Sequence, residues 1–134
     1  MKHQAFNIKT QSQTEFVDIT DHVRHYIRDN RIDHGLCMIF VPHTTAAVTI
    51  NENADPSVQK DVLMVMNKVI PWNDRYDHLE GNSPAHIKSI IVGASELVPV
   101  SDNALVLGTW QGIFFCEFDG PRNRKFHIHM LTCQ

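Results

Sequence analysis

The stretch LGTWQGIFFCEFDGPRNRK, residues 107–125, decides how this chain is read. Its centre is apolar and aromatic, as a buried β-strand requires. Alternate side chains of a strand share a face. Trp110, Gly112, Phe114, Cys116 and Phe118 therefore point one way, and Gln111, Ile113, Phe115, Glu117 and Asp119 the other. The second face is apolar in its middle and acidic at one end. A buried carboxylate is costly unless it meets a cation, a metal or several hydrogen-bond donors. Glu117 thus needs a partner, either an arginine inside the protein or water at the sheet's edge. Gly120-Pro121 signals a turn, so residues 119–123 read as a hairpin joining strands 110–119 and 124–132. Arg122, Arg124 and Lys125 follow it. They are a solvated turn or, because the arginine fork matches phosphate geometry, an anion clamp.

Working outward, residues 3–11 read as a first strand. Val17, Ile19, Val23, Tyr26 and Ile27 recur at helical spacing, giving a helix over 20–30 with Thr20 placed to cap it. GLCMIFV, residues 35–41, is a continuous apolar run and reads as a strand buried on both faces. A strand over 47–51 follows the PHTT turn. Asp55-Pro56 opens a helix to about residue 70, with Val58, Val62, Val65, Met66 and Val69 as its apolar stripe. Residues 72–82 are polar and loop-like. Ser83-Pro84 opens a third helix whose buried face is Ile87, Ile90, Ile91 and Ala94. Strands at 96–100 and 104–107 complete the pattern. The sum is one α+β domain over 1–134, a mostly antiparallel, sandwich-like sheet system with three helices.

The composition excludes some functions. A formal net charge of -3 is wrong for sequence-independent nucleic-acid binding. No apolar run approaches membrane-spanning length, and MKHQAFNIKTQSQ lacks the apolar core of a signal peptide. Cys37, Cys116 and Cys133 are odd in number and widely spaced, as reduced thiols in a cytoplasm would be.

Nine histidines need sorting. His127 and His129 share a face of the last strand. Phe126, Ile128 and Met130 take the other, so the pair reads as a solvent or subunit-contact face, with metal binding the lesser reading. His3, His22, His25 and His34 read as surface residues. His43 differs, because it ends a core strand beside the hydroxyls of Thr44 and Thr45. His78 lies in the polar loop, and His86 in the first turn of the third helix, where free backbone N–H groups favour an anion or a neutral imidazole. Three imidazoles from separate segments are a candidate site for zinc or iron with an open position. Glu52, leading out of a strand, is a candidate ligand to Mg2+. Lys88 is a solvated lysine or a phosphate ligand beside His86. Cys116, on an apolar face, reads as a structural thiol.

PHTTAAVTINENADP (42–56), the EGN–AHIKS region (80–89) and residues 107–125 together resemble the YjbQ family, in order and over almost the whole chain. The resemblance implies a small α+β sandwich protein that assembles as a homotrimer. It also implies a weak, secondary thiamine-phosphate-synthase activity, which joins hydroxymethylpyrimidine diphosphate to thiazole phosphate and releases pyrophosphate. The family's HTT motif falls on His43, Thr44 and Thr45, NENAD on residues 51–55, and the histidine of its GN–AH motif on His86. TWQG and CEFDGPR fall on residues 109–112 and 116–122. Ser83-Pro84 departs from the family's pattern, where a pair such as Ala-His or Ala-Asp is expected. The implied pocket sets His43, Glu52 and His86 against Glu117, Asp119 and Arg122, within one subunit or across a subunit boundary. Thr44, Thr45, Lys88, Arg122 and Arg124 are its candidate anion ligands. Mg2+ or a His-bound Zn2+/Fe ion would add charge, and the ligand is a small phosphorylated metabolite. The alternatives are a metal- or anion-binding homotrimer and an enzyme of another phosphorylated metabolite.

Overall fold

Apolar strands alternate with polar turns along this chain, and the computed structural model, which describes residues 2–132, gathers them into two antiparallel sheets. The strands are β1 (Lys2–Lys9), β2 (Glu15–Asp18), β3 (Gly35–Phe40), β4 (Ala46–Glu52), β5 (Ser95–Ser101), β6 (Ala104–Leu105), β7 (Gln111–Glu117) and β8 (Asn123–Thr132). The helices are α1 (Thr20–Asp29), α2 (Pro56–Val69) and α3 (Ser83–Val92). One sheet runs β1-β8-β3-β5-β6 and the other β2-β7-β4. Cys133 lies outside the described residues.

β7 is the centre of the architecture, and it is buried on both faces. Ile113 and Phe115 enter the main core with Ile39, Val98, Phe126 and Ile128 of the larger sheet. Cys116 and Phe118 enter a second core with Ala47 and Ala85, against which Leu63, Met66 and Trp72 pack. The layers are therefore sheet, sheet, then α2 and α3. α1 supplies Val23, Tyr26 and Ile27 to the main core. Asp18 Oδ1 accepts from the Thr20 N–H at 2.9 Å, so the last residue of β2, not Thr20, supplies the polar group at the start of α1.

Five expectations change. Residues 119–123 do not form a hairpin. β7 and β8 lie in different sheets, and the segment, with its cis Gly120-Pro121 bond, carries the chain between layers. β3 is buried on alternate residues only, with Leu36 and Phe40 facing out, because its sheet has one face on the core. β2 was hidden in the helical spacing of Val17 and Ile19; it pairs with β7 instead. Finally, α3 buries Pro84, Ala85, Lys88 and Ser89, and leaves Ile90 81 % and Ile91 66 % exposed. α2 has no buried residue at all, and Val62, Val65 and Val69 of its stripe are exposed. Asp55 does cap α2, accepting from Ser57 N at 2.9 Å.

Candidate functional site

The β3–β4 connection, the start of α3 and the β7–β8 crossover meet on one side of the fold. Between them lies a cleft of about 540 Å³ lined by His43, Thr44 and Thr45 from the first, His78, Glu80, Asn82 and His86 from the second, and Asp119, Arg122 and Arg124 from the third. Residues distant in sequence converge there because β7 pairs with β4 up to Ala46–Glu117, which sets the crossover beside the HTT turn.

Beneath the cleft sits a fully buried carboxylate. Glu117 is 0 % exposed and Arg124 5 %. Arg124 Nε donates to Glu117 Oε2 at 2.8 Å, Nη2 donates to Oε1, and Nη2 also donates to the Thr45 hydroxyl at 2.8 Å. The Thr10 hydroxyl donates to Glu117 Oε2 at 2.8 Å and the Asp119 N–H to Oε1 at 2.9 Å. Burial pushes this carboxyl up, but the hydrogen bonds of Arg124, Asp119 N–H and Thr10 outweigh it and hold Glu117 below the usual carboxylate range. Glu117 thus meets the arginine that its burial demanded, and it acts by fixing Arg124 rather than by reaching the cleft.

Asp119, at the cleft, accepts from Arg122 Nη2 at 3.0 Å and from Asn82 Nδ2 at 2.9 Å. Asn82 Nδ2 also donates to Glu80 Oε2 at 2.8 Å, so one amide joins both carboxylates. Among the described residues, Asn82 Oδ1 is the one buried side-chain polar atom with no hydrogen-bond partner. Glu80 and Asn82 were not singled out from the sequence as site residues. Their signal was the EGN triplet directly before a helix start, where polar side chains are held close to free backbone N–H groups.

His43 Nε2 accepts from the Lys125 N–H at 2.9 Å. That leaves the proton of the neutral ring on Nδ1 in this ring orientation. Burial first, and then the Arg124 charge, lower the His43 pKa, so the ring is a neutral hydrogen-bond donor. His78 and His86 meet edge-to-face with centroids 5.4 Å apart. Among the described residues, the one set of three metal-ligating side chains within 4.8 Å of one another is Asp33, His34 and Asp102, all exposed, the first two in the connection before β3 and the third in the β5–β6 turn. His43, His78 and His86 share the cleft without closing to that distance.

Two candidates lie elsewhere. Glu52 is at the far end of β4, paired with Gln111. Lys88 is 1 % exposed, and its ammonium donates to Asn67 Oδ1 on α2 at 2.5 Å. Burial lowers its pKa. Neither lines the cleft. Cys116 is fully buried and its thiol is pushed up, first by burial, so it is a packing residue.

Comparison with known proteins places the chain's sequence and fold. The family described as UPF0047 protein YjbQ-like matches residues 4–133. The UPF0047 protein of Methanocaldococcus jannaschii is 50% identical over 126 residues, spanning 94% of this chain and 91% of its own. The UPF0047 protein YugU of Bacillus subtilis is 51% identical over 128 residues, spanning 95% of this chain and 97% of its own. Among solved structures, an uncharacterised YjbQ/UPF0047 protein of Clostridium acetobutylicum superposes with a TM-score of 0.94 at 44% identity, covering 96% of this chain and 99% of that one. A protein of unknown function from Sulfolobus solfataricus gives a TM-score of 0.94 at 34% identity, covering 98% and 97%.

Proposed function

We propose that in this chain, which belongs to the UPF0047 YjbQ-like family, the cleft binds a small phosphorylated metabolite and assists the departure of a phosphate group from it. The observation that carries this reading is the convergence of Arg122, Arg124 and three imidazoles on one cleft. Arginine forks and N–H donors are what a leaving phosphate needs, because its departure requires charge stabilisation more than covalent help.

The specific activity proposed is weak thiamine-phosphate synthesis. The bond from the pyrimidine methylene carbon to the diphosphate oxygen breaks, the thiazole nitrogen bonds to that carbon, and pyrophosphate leaves with the electron pair. Arg122, exposed at the rim, and Arg124, fixed beneath, receive the diphosphate. His43 donates through Nδ1–H, Thr44 supplies a hydroxyl, and His86 serves as the second imidazole donor. Asp119 and Glu80, tied together by Asn82, orient the partner ring.

A divalent ion is part of the proposal, as Mg2+ or as Zn2+/Fe. His78 and His86 are the residues that would hold it, and His43 joins them only with its ring turned, since its Nε2 lone pair faces Lys125. When bound, such an ion supplies positive charge beside the phosphates. Assembly as a homotrimer is likewise proposed. Its support is the apolar side chains left exposed on α2 and α3, and a trimer mass in light scattering is its check. A cytoplasmic setting with reduced thiols completes the reading.

The alternative is an anion-binding or metal-binding protein in which transfer is incidental. One assay separates them. Purified protein with hydroxymethylpyrimidine diphosphate, thiazole phosphate and Mg2+ is read for thiamine phosphate and pyrophosphate. Turnover that falls at least about tenfold in Arg122→Ala and His86→Ala supports the enzyme. Turnover unchanged in both variants overturns it.

A further inference from the structure

We infer that the outer face of the larger sheet carries a second site, for a divalent transition-metal ion, built from His3, His127 and His129 and independent of the cleft. His3 pairs directly with His129 across β1 and β8, and His127 stands two residues along β8 on the same face. The three rings form one ladder. His3 and His129 stack with centroids 5.2 Å apart and planes at 10°, and His129 and His127 stack at 6.1 Å and 10°. Cross-strand Cβ atoms lie about 4.5–5.5 Å apart, and residues i and i+2 of a strand about 6.6 Å. A metal ion held about 2.0–2.1 Å from each imidazole nitrogen bridges such side chains once the rings rotate about χ1 and χ2 to converge.

Several features favour ligation over a merely solvated face. Among the described residues the only imidazole hydrogen bond is that of His43 and the only imidazole ion pair that of His34, so the nitrogens of all three ladder rings are free. Their platform is fixed, because Phe126, Ile128 and Met130 on the reverse face of β8 are all 0 % exposed. Sites mounted on packed strands hold their ligands better than sites on loops. His127 also has Phe40 edge-on at 6.4 Å, an apolar neighbour on the same face. Met38 stands opposite His129 on β3 and adds a thioether beside the ladder. Three imidazoles with a thioether and no carboxylate suit zinc, nickel or copper and not Mg2+ or Ca2+. The set leaves at least one coordination position to water.

The experiment is zinc titration by calorimetry on tag-free protein. It uses a background in which His43, His78 and His86 of the cleft and His34 of the exposed acidic set are all replaced by alanine. One equivalent of Zn2+ is expected to bind there. Adding His129→Ala, the shared ring, is expected to weaken it at least about tenfold, since even an indirect contact to a ligand is worth that much. His3→Gln and His127→Gln should each weaken it too. In parallel, imidazole nitrogen resonances of His3, His127 and His129 in the wild-type protein are followed during the titration, which needs no folded variant. Shifts of the three rings that move and saturate together support the site. Resonances that do not move, or zinc binding in the quadruple background that survives His129→Ala, overturn it.

Discussion

Glu117 and Arg124 close on each other beneath the cleft, seven residues apart in sequence yet on strands of different sheets. The same guanidinium donates to Thr45, so one ion pair ties the crossover to the HTT turn. β7 therefore ends in a carboxylate that anchors the chain where it changes layer.

Removing one partner of a buried pair leaves the other uncompensated, at a cost of about 3–5 kcal/mol. Glu117→Ala is expected to lose about that much in urea unfolding at pH 7. The pH dependence follows from the lowered carboxyl pKa. Its contribution is fully present above the unfolded-state value of about 4.3. It is lost as pH falls through the lower folded-state value. Glu117→Gln should lose that part of the acid dependence, measured as unfolding free energy between pH 7 and pH 3.

Lys88 is a buried cation whose ammonium has an amide, not an acid, as partner. Its lowered pKa means that the unfolded chain holds this proton to higher pH than the fold does. Stability should therefore rise with pH between the folded value and the ordinary lysine value of about 10.4. Lys88→Met is expected to remove that rise, and at pH 7 to leave the melting temperature unchanged or higher. A melting temperature lowered by more than about 4 °C, the mark of 1 kcal/mol in a domain between the small and medium size classes, contradicts this.

A Cβ on Gly120 would overlap the Ser12 carbonyl oxygen and lie 2.7 Å from Glu117 Cγ. The obstacle includes backbone, so it cannot simply swing aside. Gly120→Ala is expected to cost about 1–3 kcal/mol, read by thermal unfolding, and to weaken anion binding by displacing Asp119 and Arg122.

Much of this was legible in the sequence. The continuous apolar run around Ile113–Phe118 marked β7 as a strand buried on both faces, and Asp55-Pro56 marked the start of α2. The demand that Glu117 find a partner was physical, and of the partners open to it the structure supplies an arginine. The connection after it was not legible, because a turn signal marks a reversal without saying which sheet receives the next strand. The isoleucines of α3 misled for a related reason. Periodicity identifies an apolar face but not whether this chain covers it, and here Lys88 and Ser89 take the inward side. His43 and His86 were recognisable from their places at a strand end and a helix start. Glu52 was not excluded by any local signal, since only the register of β4 against β7 puts it at the opposite end of the sheet.

In the proposed function the cleft grips phosphate through Arg122 and Arg124, with His43 as a neutral donor. Calorimetric titration of pyrophosphate into wild-type protein, Arg122→Ala and His43→Ala at fixed salt tests it most directly. The account predicts one site per chain in the wild type, with affinity reduced at least about tenfold in each variant, since a hydrogen bond to a charged group is worth about 1.5–3 kcal/mol. Pyrophosphate binding of equal strength in all three proteins, or none in the wild type, would contradict it.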